Sequence, residues 1–119
     1  TIHPEIVLPV TNLEMTIGEG ESCQGSFIMK NRKEGDIRGL VYSSSFRVHL
    51  EEQGFEGNPV EIRFTYDGSG LAPGHVEQGK FTIVCNGGEF EVNFTAIIEK
   101  PSIETSCGRV QNIRDGKLY

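Results

Sequence analysis

The sequence predicts an all-β sandwich, and three features of the chain support this fold class. Several segments alternate apolar and polar residues with a period of two, which is typical of strands with one buried face. The chain of 119 residues contains 15 glycines, which supply turns between these segments. No segment keeps a helical period for more than a turn or two. The length fits one domain with its own hydrophobic core.

The clearest predicted element is a hairpin at residues 79–98. Its apolar residues occupy every other position, at Phe81, Ile83 and Cys85 in the first strand and at Phe90, Val92, Phe94, Ala96 and Ile98 in the second. Between the strands, Asn86-Gly87-Gly88 tolerates the positive φ that a tight turn requires. A hairpin cannot bury its apolar face alone, so the rest of the chain must cover it.

The other strands precede this hairpin. Residues 5–10 and 13–17 predict an edge strand interrupted by Pro9, because proline lacks the amide donor of a β-ladder. Further strands are predicted at residues 24–31, 37–43, 46–50 and 60–66. In the third of these, Phe46, Val48 and Leu50 share one face. The total of seven or eight strands is typical of an immunoglobulin-like Greek-key β-sandwich.

Two longer stretches are predicted as loops, and the end of the chain as a linker. Residues 51–57 are polar and contain glycine, and residues 67–79 consist largely of turn formers with Leu71 as an anchor into the core. After Pro101 the strand pattern is lost. We therefore predict a domain at residues 1–100, followed by a linker or the start of another region at residues 101–119.

Charge and hydropathy exclude some classes of function. The net charge of −6 disfavours nucleic acid as a partner, because phosphate binding needs a concentrated positive field. No apolar run approaches the roughly 18–20 residues that a membrane span requires. The chain begins at Thr1 with neither an initiator methionine nor a secretory signal pattern, so we expect a processed chain or a piece of a larger protein.

The three cysteines, Cys23, Cys85 and Cys107, cannot all be paired within one chain. The separation of Cys23 and Cys85 resembles that of an immunoglobulin bridge. In a Greek-key sandwich, however, the start of the second strand and the end of the strand before the last hairpin lie about 20 Å apart, beyond the reach of a disulfide. Free thiols favour a reducing compartment, so we predict a cytoplasmic location and leave a secreted or cell-surface location open.

No group of residues predicts a catalytic, cofactor or metal site. The chain has three histidines, His3, His49 and His75. None of them has a neighbour at metal-ligand spacing. Residues 67–70 lack the alternating acids of a calcium loop, and the serines at 43–45 lack the flanking glycines of a nucleophile elbow. We therefore expect neither catalysis, nor a cofactor, nor a bound metal.

Other polar groups have a structural interpretation. Glu89 and Glu91 share the water-facing side of what we predict to be an edge-type strand, where carboxylates keep their ordinary acidity. Asn93-Phe94-Thr95 matches a glycosylation sequon, but it lies in the middle of a strand, and we interpret the match as chance. The basic residues Lys30, Arg32 and Lys33 are followed by acids and predict a turn.

Taken together, the turn motifs resemble those of a known family. In order, they are GSFI at 25–28, GLVYSS at 39–44, FEG at 55–57, GLAPG at 70–74 and GKFTIVCNGGEF at 79–90. Over about residues 20–100, this order resembles the amino-terminal immunoglobulin-like domain of a family of large bacterial proteins of unknown function. The resemblance implies that a long, helical region follows, and it implies no activity for any residue here.

The sequence therefore favours a non-catalytic interaction or spacer module of a larger bacterial protein. Its partner would be protein, either other regions of its own chain or a separate chain, bound at a strand edge or at the connecting loops. The alternative is a surface-exposed carbohydrate-binding or adhesive module. That function needs exposed aromatic rings, for which Tyr42 and Phe55 are the candidates left. An enzyme would need a pocket with converging titratable groups. The oligomeric state is left open.

Overall fold

The computed structural model describes residues 3–100 and the strands at residues 109–114 and 117–118. In chain order the strands are β1 (Ile6–Val7), β2 (Asn12–Gly18), β3 (Ser22–Asn31), β4 (Ile37–Ser43), β5 (Val48–Leu50), β6 (Gly54–Gly57), β7 (Val60–Asp67), β8 (Val76–Cys85), β9 (Gly88–Glu99), β10 (Arg109–Arg114) and β11 (Lys117–Leu118). All regular structure in the described residues is strand, which confirms the predicted all-β fold class.

The strands form two sheets. The smaller sheet has the order β1-β3-β7-β5, and the larger sheet has the order β11-β10-β2-β9-β8-β4-β6. Neighbouring strands are antiparallel except for β2 and β9, which run parallel. The chain crosses from the smaller sheet to the larger one between β5 and β6, and it returns between β6 and β7. The edge strands β5 and β6 therefore lie on the same side of the sandwich.

The core lies between the facing sides of the two sheets, with Phe81 of β8 at the centre of an aromatic cluster. Its ring centroid lies 5.2 Å from that of Phe27, 4.8 Å from that of Phe64 and 5.5 Å from that of Phe94. The alternation predicted for the hairpin is confirmed, because its inward-facing residues are buried or half-buried. The hairpin turn is also confirmed, with Cys85 opposite Gly88 and a φ of 122° at Gly88.

The start of the chain differs from the prediction of one interrupted edge strand. The chain changes sheet near Pro9: β1 forms an edge of the smaller sheet, and β2 lies inside the larger sheet between β9 and β10. Proline interrupts the ladder as expected. Which sheet each half joins depends on partners that are distant in sequence.

Three further predictions about the middle of the chain are corrected. Phe46 does not share the buried face of Val48: the strand begins only at Val48, and Phe46 lies in the preceding turn with 85% of its surface exposed. The predicted loop at residues 51–57 contains the strand β6. The predicted loop at residues 67–79 is shorter, because β8 begins at Val76. With β6, β10 and β11, the described residues contain eleven strands instead of the predicted seven or eight.

The linker predicted at residues 101–119 lies largely outside the described residues, as does Cys107. The described parts of this segment are strands. β10 pairs antiparallel with β2, and β11 pairs antiparallel with β10. They extend the larger sheet, so at least this part of the segment belongs to the sandwich.

The two described cysteines are not joined to each other, as predicted. Cys23 is buried in β3, whereas Cys85 lies at the end of β8 beside the hairpin turn. Cys85 is a free thiol and is half-buried.

Candidate functional site

The three histidines considered in the sequence lie on separate segments of the fold. His3 precedes β1, His49 lies in β5 and His75 lies in the loop before β8, all of them exposed. Within the described part of the chain, no three His, Cys, Asp or Glu side chains lie close enough together to hold a metal ion. The absence of a cofactor or metal in the working protein stays a prediction.

The loop serines and Asp67 stabilise turns. The Ser69 amide donates to Asp67 Oδ1 at 2.9 Å, and this bond lowers the pKa of Asp67. The Ser45 amide donates to Ser43 Oγ at 3.1 Å, and the Lys80 amide donates to Ser44 Oγ at 2.9 Å. The hydroxyl groups at residues 43 and 44 are therefore occupied by nearby backbone groups.

The pair Glu89 and Glu91 lies on the exposed outer face of the larger sheet. The strand is not an edge strand, because β9 lies between β2 and β8. Glu91 Oε2 accepts a bond of 2.7 Å from Lys80 Nζ on β8, which raises the pKa of Lys80. Asn93 is exposed on the same face in the middle of β9.

The two aromatic residues left for a carbohydrate platform lie on opposite faces of the larger sheet. Tyr42 is on the outer face of β4, with 43% of its surface exposed. Phe55 of β6 packs against the core on the inner face. The two rings therefore cannot form one stacking surface.

Tyr66 carries the most strongly perturbed pKa among the described residues. Its side chain is fully buried on the inner face of β7, and its hydroxyl donates to Glu77 Oε1 at 2.5 Å. Burial raises the pKa of Tyr66 above its ordinary value, and the bond to Glu77 raises it further.

We expect stability to fall as the pH rises above about 10, because the unfolded chain then loses a tyrosine proton that the folded chain retains. Urea unfolding across this range measures the decline. The Tyr66→Phe variant, which lacks the ionisable hydroxyl, should show a shallower decline. Parallel declines in the two proteins would contradict this assignment.

The sheet edges differ in how accessible they are to another strand. β1 has two residues between Pro4 and Pro9, and prolines of this kind protect an edge. β5 has three residues and β11 has two. β6 is the longest of these edge strands, with four residues, and it pairs with β4 on one side.

The backbone geometry of β6 leaves half of its polar groups pointing away from the sheet. The Val41 amide donates to the Gln53 carbonyl at 2.8 Å, and Gly39 lies opposite Phe55 in the same register. Hydrogen-bonded pairs alternate with non-hydrogen-bonded pairs in an antiparallel ladder. Gly54 and Glu56 therefore direct their N–H and C=O groups outward, and both residues are exposed.

An apolar row crosses the sheet beside this edge. On the outer face, Leu40 of β4 lies opposite Gly54 on one side and opposite Val84 of β8 on the other. Leu40 and Val84 each expose 45% of their surface. Because Gly54 has no side chain, an approaching strand can reach Leu40 across it.

The turn after β6 is anchored to the other sheet. Asn58 Oδ1 accepts the Asn31 amide at 3.0 Å, and Asn58 Nδ2 donates to the Asn31 carbonyl at 3.2 Å. Gly57, with a φ of 150°, allows the chain to leave β6 and enter β7. The edge is therefore held in place at the end that returns to β7.

Sequence reasoning missed β6 because the strand is too short to display a period. Its sequence is GFEG, in which Phe55 is the single apolar side chain and both end residues are glycine. Phe55, the one aromatic residue in an otherwise polar segment, could have indicated this strand. An isolated aromatic residue of this kind indicates an anchored segment rather than a free loop.

Solved structures that resemble this chain share its fold at low identity. The PapD-like domain 7 of human CEP192 has a TM-score of 0.68 and 6% identity, covering 84% of this chain and 89% of that one. The E. coli chaperone DraB has a TM-score of 0.58 and 8% identity, covering 86% and 58% respectively. The likeness supports the immunoglobulin-like and PapD-like sandwich class.

A carbohydrate-active enzyme also contains a similar domain. The Bacteroides ovatus GH5 xyloglucanase, solved in complex with a XXXG heptasaccharide, has a TM-score of 0.63 and 10% identity. The alignment covers 84% of this chain but 20% of that enzyme. At this identity the likeness shows the fold alone.

Sequence comparison gives one family. The model for the amino-terminal domain of a family of unknown function (DUF5717) matches residues 1–116. No curated protein matches the chain in sequence.

Proposed function

The chain belongs to the amino-terminal domain of this family of unknown function, and from its surface we propose that it is a non-catalytic protein-interaction module. It binds by adding an extended segment of its partner to the free edge of β6. In such strand addition, main-chain hydrogen bonds supply affinity and alternate side chains supply specificity.

One observation carries this proposal: the outward backbone groups of Gly54 and Glu56, beside the exposed row formed by Leu40 and Val84. The edge offers hydrogen bonds, and the row offers apolar surface next to it. Natural proteins protect sheet edges with proline, charged side chains, bulges or short edge strands, and β1 here is flanked by two prolines. An open edge beside exposed apolar side chains is therefore consistent with the binding of a partner's strand at β6.

The likeness to DraB adds support, because that protein is a chaperone, a class that binds other polypeptides. The likeness to part of a xyloglucanase does not support catalysis, since it covers a fifth of that enzyme. The three histidines lie on separate segments, and the described residues contain no cluster of His, Cys, Asp or Glu that could hold a metal ion; both observations support a role without chemistry.

A carbohydrate-binding role has less support. Sugar sites on sandwich folds need aromatic rings on one exposed face. Tyr42 and Phe55 lie on opposite faces of the β4–β6 pair, so their rings cannot share one surface. The exposed ring of Phe46 lies on a turn, where the guanidinium carbon of Arg47 is 5.4 Å from the centroid of the Phe46 ring.

The proposal also includes the larger protein and the cellular compartment in which the domain works. We place the domain in a larger bacterial protein in the cytoplasm, where the Cys85 thiol would stay reduced. No helix in the described part of the chain is long and apolar enough to cross a membrane.

Strand addition predicts that a proline in β6 weakens binding. The probe is a synthetic peptide of about eight residues that alternates threonine and valine, with norleucine replacing one central threonine. Glu56→Pro removes an outward N–H while leaving the ladder to β4 intact. We expect the affinity for this norleucine peptide to fall at least about tenfold, because one main-chain bond is lost and the ring blocks close approach.

The matched control is Glu56→Ala, which removes the same side chain but keeps the N–H. Its affinity should stay within about twofold of the parent. Binding is followed by NMR, and the amides of Gly54 and Glu56 should be protected from hydrogen exchange in the parent complex. Equal binding by the proline and alanine variants would contradict strand addition at β6.

A further inference from the structure

A small cavity lies beside β6, on the side of the edge opposite the apolar row. It has a volume of about 290 Å³ and is lined by residues of β6, of β7 and of the segment between β5 and β6. Small-molecule sites usually measure about 300–1,000 Å³. The cavity is thus at or below that range, and its size suits one long side chain.

Two of the residues that line the cavity are apolar. Phe55 and Ile62 contribute to its lining, and both pack in the core. Because side chains alternate along a strand, a segment added to β6 directs every second residue to the Phe55 side of the edge. A residue of the partner therefore faces this cavity.

The rim is acidic. Glu51, Glu52 and Glu61 line the cavity together with Arg63, and all four side chains are exposed. Arg63 Nε donates to Glu61 Oε1 at 2.7 Å, and that bond raises the pKa of Arg63 with a smaller contribution from the Glu51 charge. Three carboxylates against one guanidinium leave an excess of negative charge at the opening.

A half-buried aromatic ring beside exposed carboxylates matches the two parts of a long basic side chain. Lysine and arginine lay their aliphatic stems on apolar surface and keep the charged end in water. A carboxylate at that end gains a charge-assisted hydrogen bond. The net charge of −6 attracts a basic segment from a distance as well.

We propose that the partner is a separate protein whose extended segment carries a lysine or arginine in this cavity. The stem of that residue lies against the half-buried Phe55, and its cationic end lies among the carboxylates of Glu51 and Glu52. This inference rests on the proposed addition of a strand at β6. A second copy of the chain is a poorer occupant, because its own β6 would bring Glu56 and the same acidic rim against this one.

The test compares three peptides that differ at one central position: the norleucine peptide, the same peptide with lysine there, and the same peptide with glutamate. Norleucine keeps an aliphatic stem of similar length but carries no charge. We expect the lysine peptide to bind about three- to tenfold more tightly than the norleucine peptide, and the glutamate peptide to bind more weakly than both.

The double variant Glu51→Gln/Glu52→Gln should remove this preference while leaving the affinity for the norleucine peptide within about twofold. The preference should also shrink between low and high salt, because exposed charges are screened. The matched control is Glu89→Gln/Glu91→Gln, which removes the same charge from the outer face of β9 and should leave the preference unchanged.

The outcomes separate the two proposals. If the norleucine and lysine peptides bind equally, the inference about the basic residue is wrong and strand addition still stands. If no peptide binds and the Gly54 and Glu56 amides exchange at their free rates, the proposed function fails. Sedimentation that shows a dimer disrupted by Glu56→Pro would overturn the choice of a separate protein as occupant.

Discussion

Replacing Phe81 with alanine is expected to lower the free energy of unfolding by about 3–5 kcal/mol. The Phe81 side chain is fully buried and contacts the rings of Phe27 and Phe64 in the smaller sheet and of Phe94 in the larger sheet. Removing it deletes apolar contacts and leaves a cavity that the surrounding strands cannot close without breaking their ladders. Because domains of this size have about 5–15 kcal/mol of stability, the loss is a large fraction of the whole.

Urea unfolding followed by circular dichroism measures this change. A Phe81→Ala variant that no longer unfolds in a cooperative transition would also meet the expectation, because its fold would then be lost. The control is Phe46→Ala, which removes the same ring from a position that is 85% exposed. Its effect should stay below about 1 kcal/mol, even though the ring lies beside the Arg47 guanidinium. Similar losses in both variants would show that Phe81 is not central to the core.

Gly39→Ala is the second substitution with a large expected effect. Gly39 lies in β4 opposite Cys85 of β8. A Cβ at this position would overlap the carbonyl oxygen of Val84 and lie 2.7 Å from the Cα of Cys85. Both obstacles are backbone atoms of a paired strand, so they cannot move without distorting the ladder. We expect a loss of about 2–3 kcal/mol or more in unfolding free energy.

Gly54→Ala is the matched control because its residue lies in the neighbouring strand, opposite Leu40. A Cβ there meets the Leu40 Cδ2 atom at 3.6 Å, an ordinary contact. The change should be neutral or stabilise the fold by up to about 1 kcal/mol, since alanine restricts the unfolded chain. If Gly39→Ala were as stable as Gly54→Ala, the close approach of β4 and β8 would be in doubt.

Much of the fold could be predicted because local patterns agree with the final structure. In β7, Val60, Ile62, Phe64 and Tyr66 are all buried, as their alternation predicted. The charged turn before β4 and the hairpin turn near Gly88 follow from residues that favour turns. These elements are long or carry distinct turn chemistry, so tertiary contacts reinforce what the local sequence favours.

The candidate site was harder to predict, since it depends on short or distant elements. β6 is recognisable as a strand through its pairing with β4, which no pattern within its four residues reveals. Phe46 fits the alternation of Val48 and Leu50, yet the turn bonds of Ser45 delay the strand and leave the ring outside. Period-two patterns predict faces only where the strand itself is formed.

The sequence by itself determined the fold class, the central hairpin and the face that each long strand buries, because alternation and turn chemistry are local properties. Tertiary structure alone decided that the chain changes sheet near Pro9, that β9 lies inside the larger sheet, and that β6 forms an open edge beside Leu40. Pairing partners and free edges depend on which strands meet, and contacts between residues far apart in sequence settle that question.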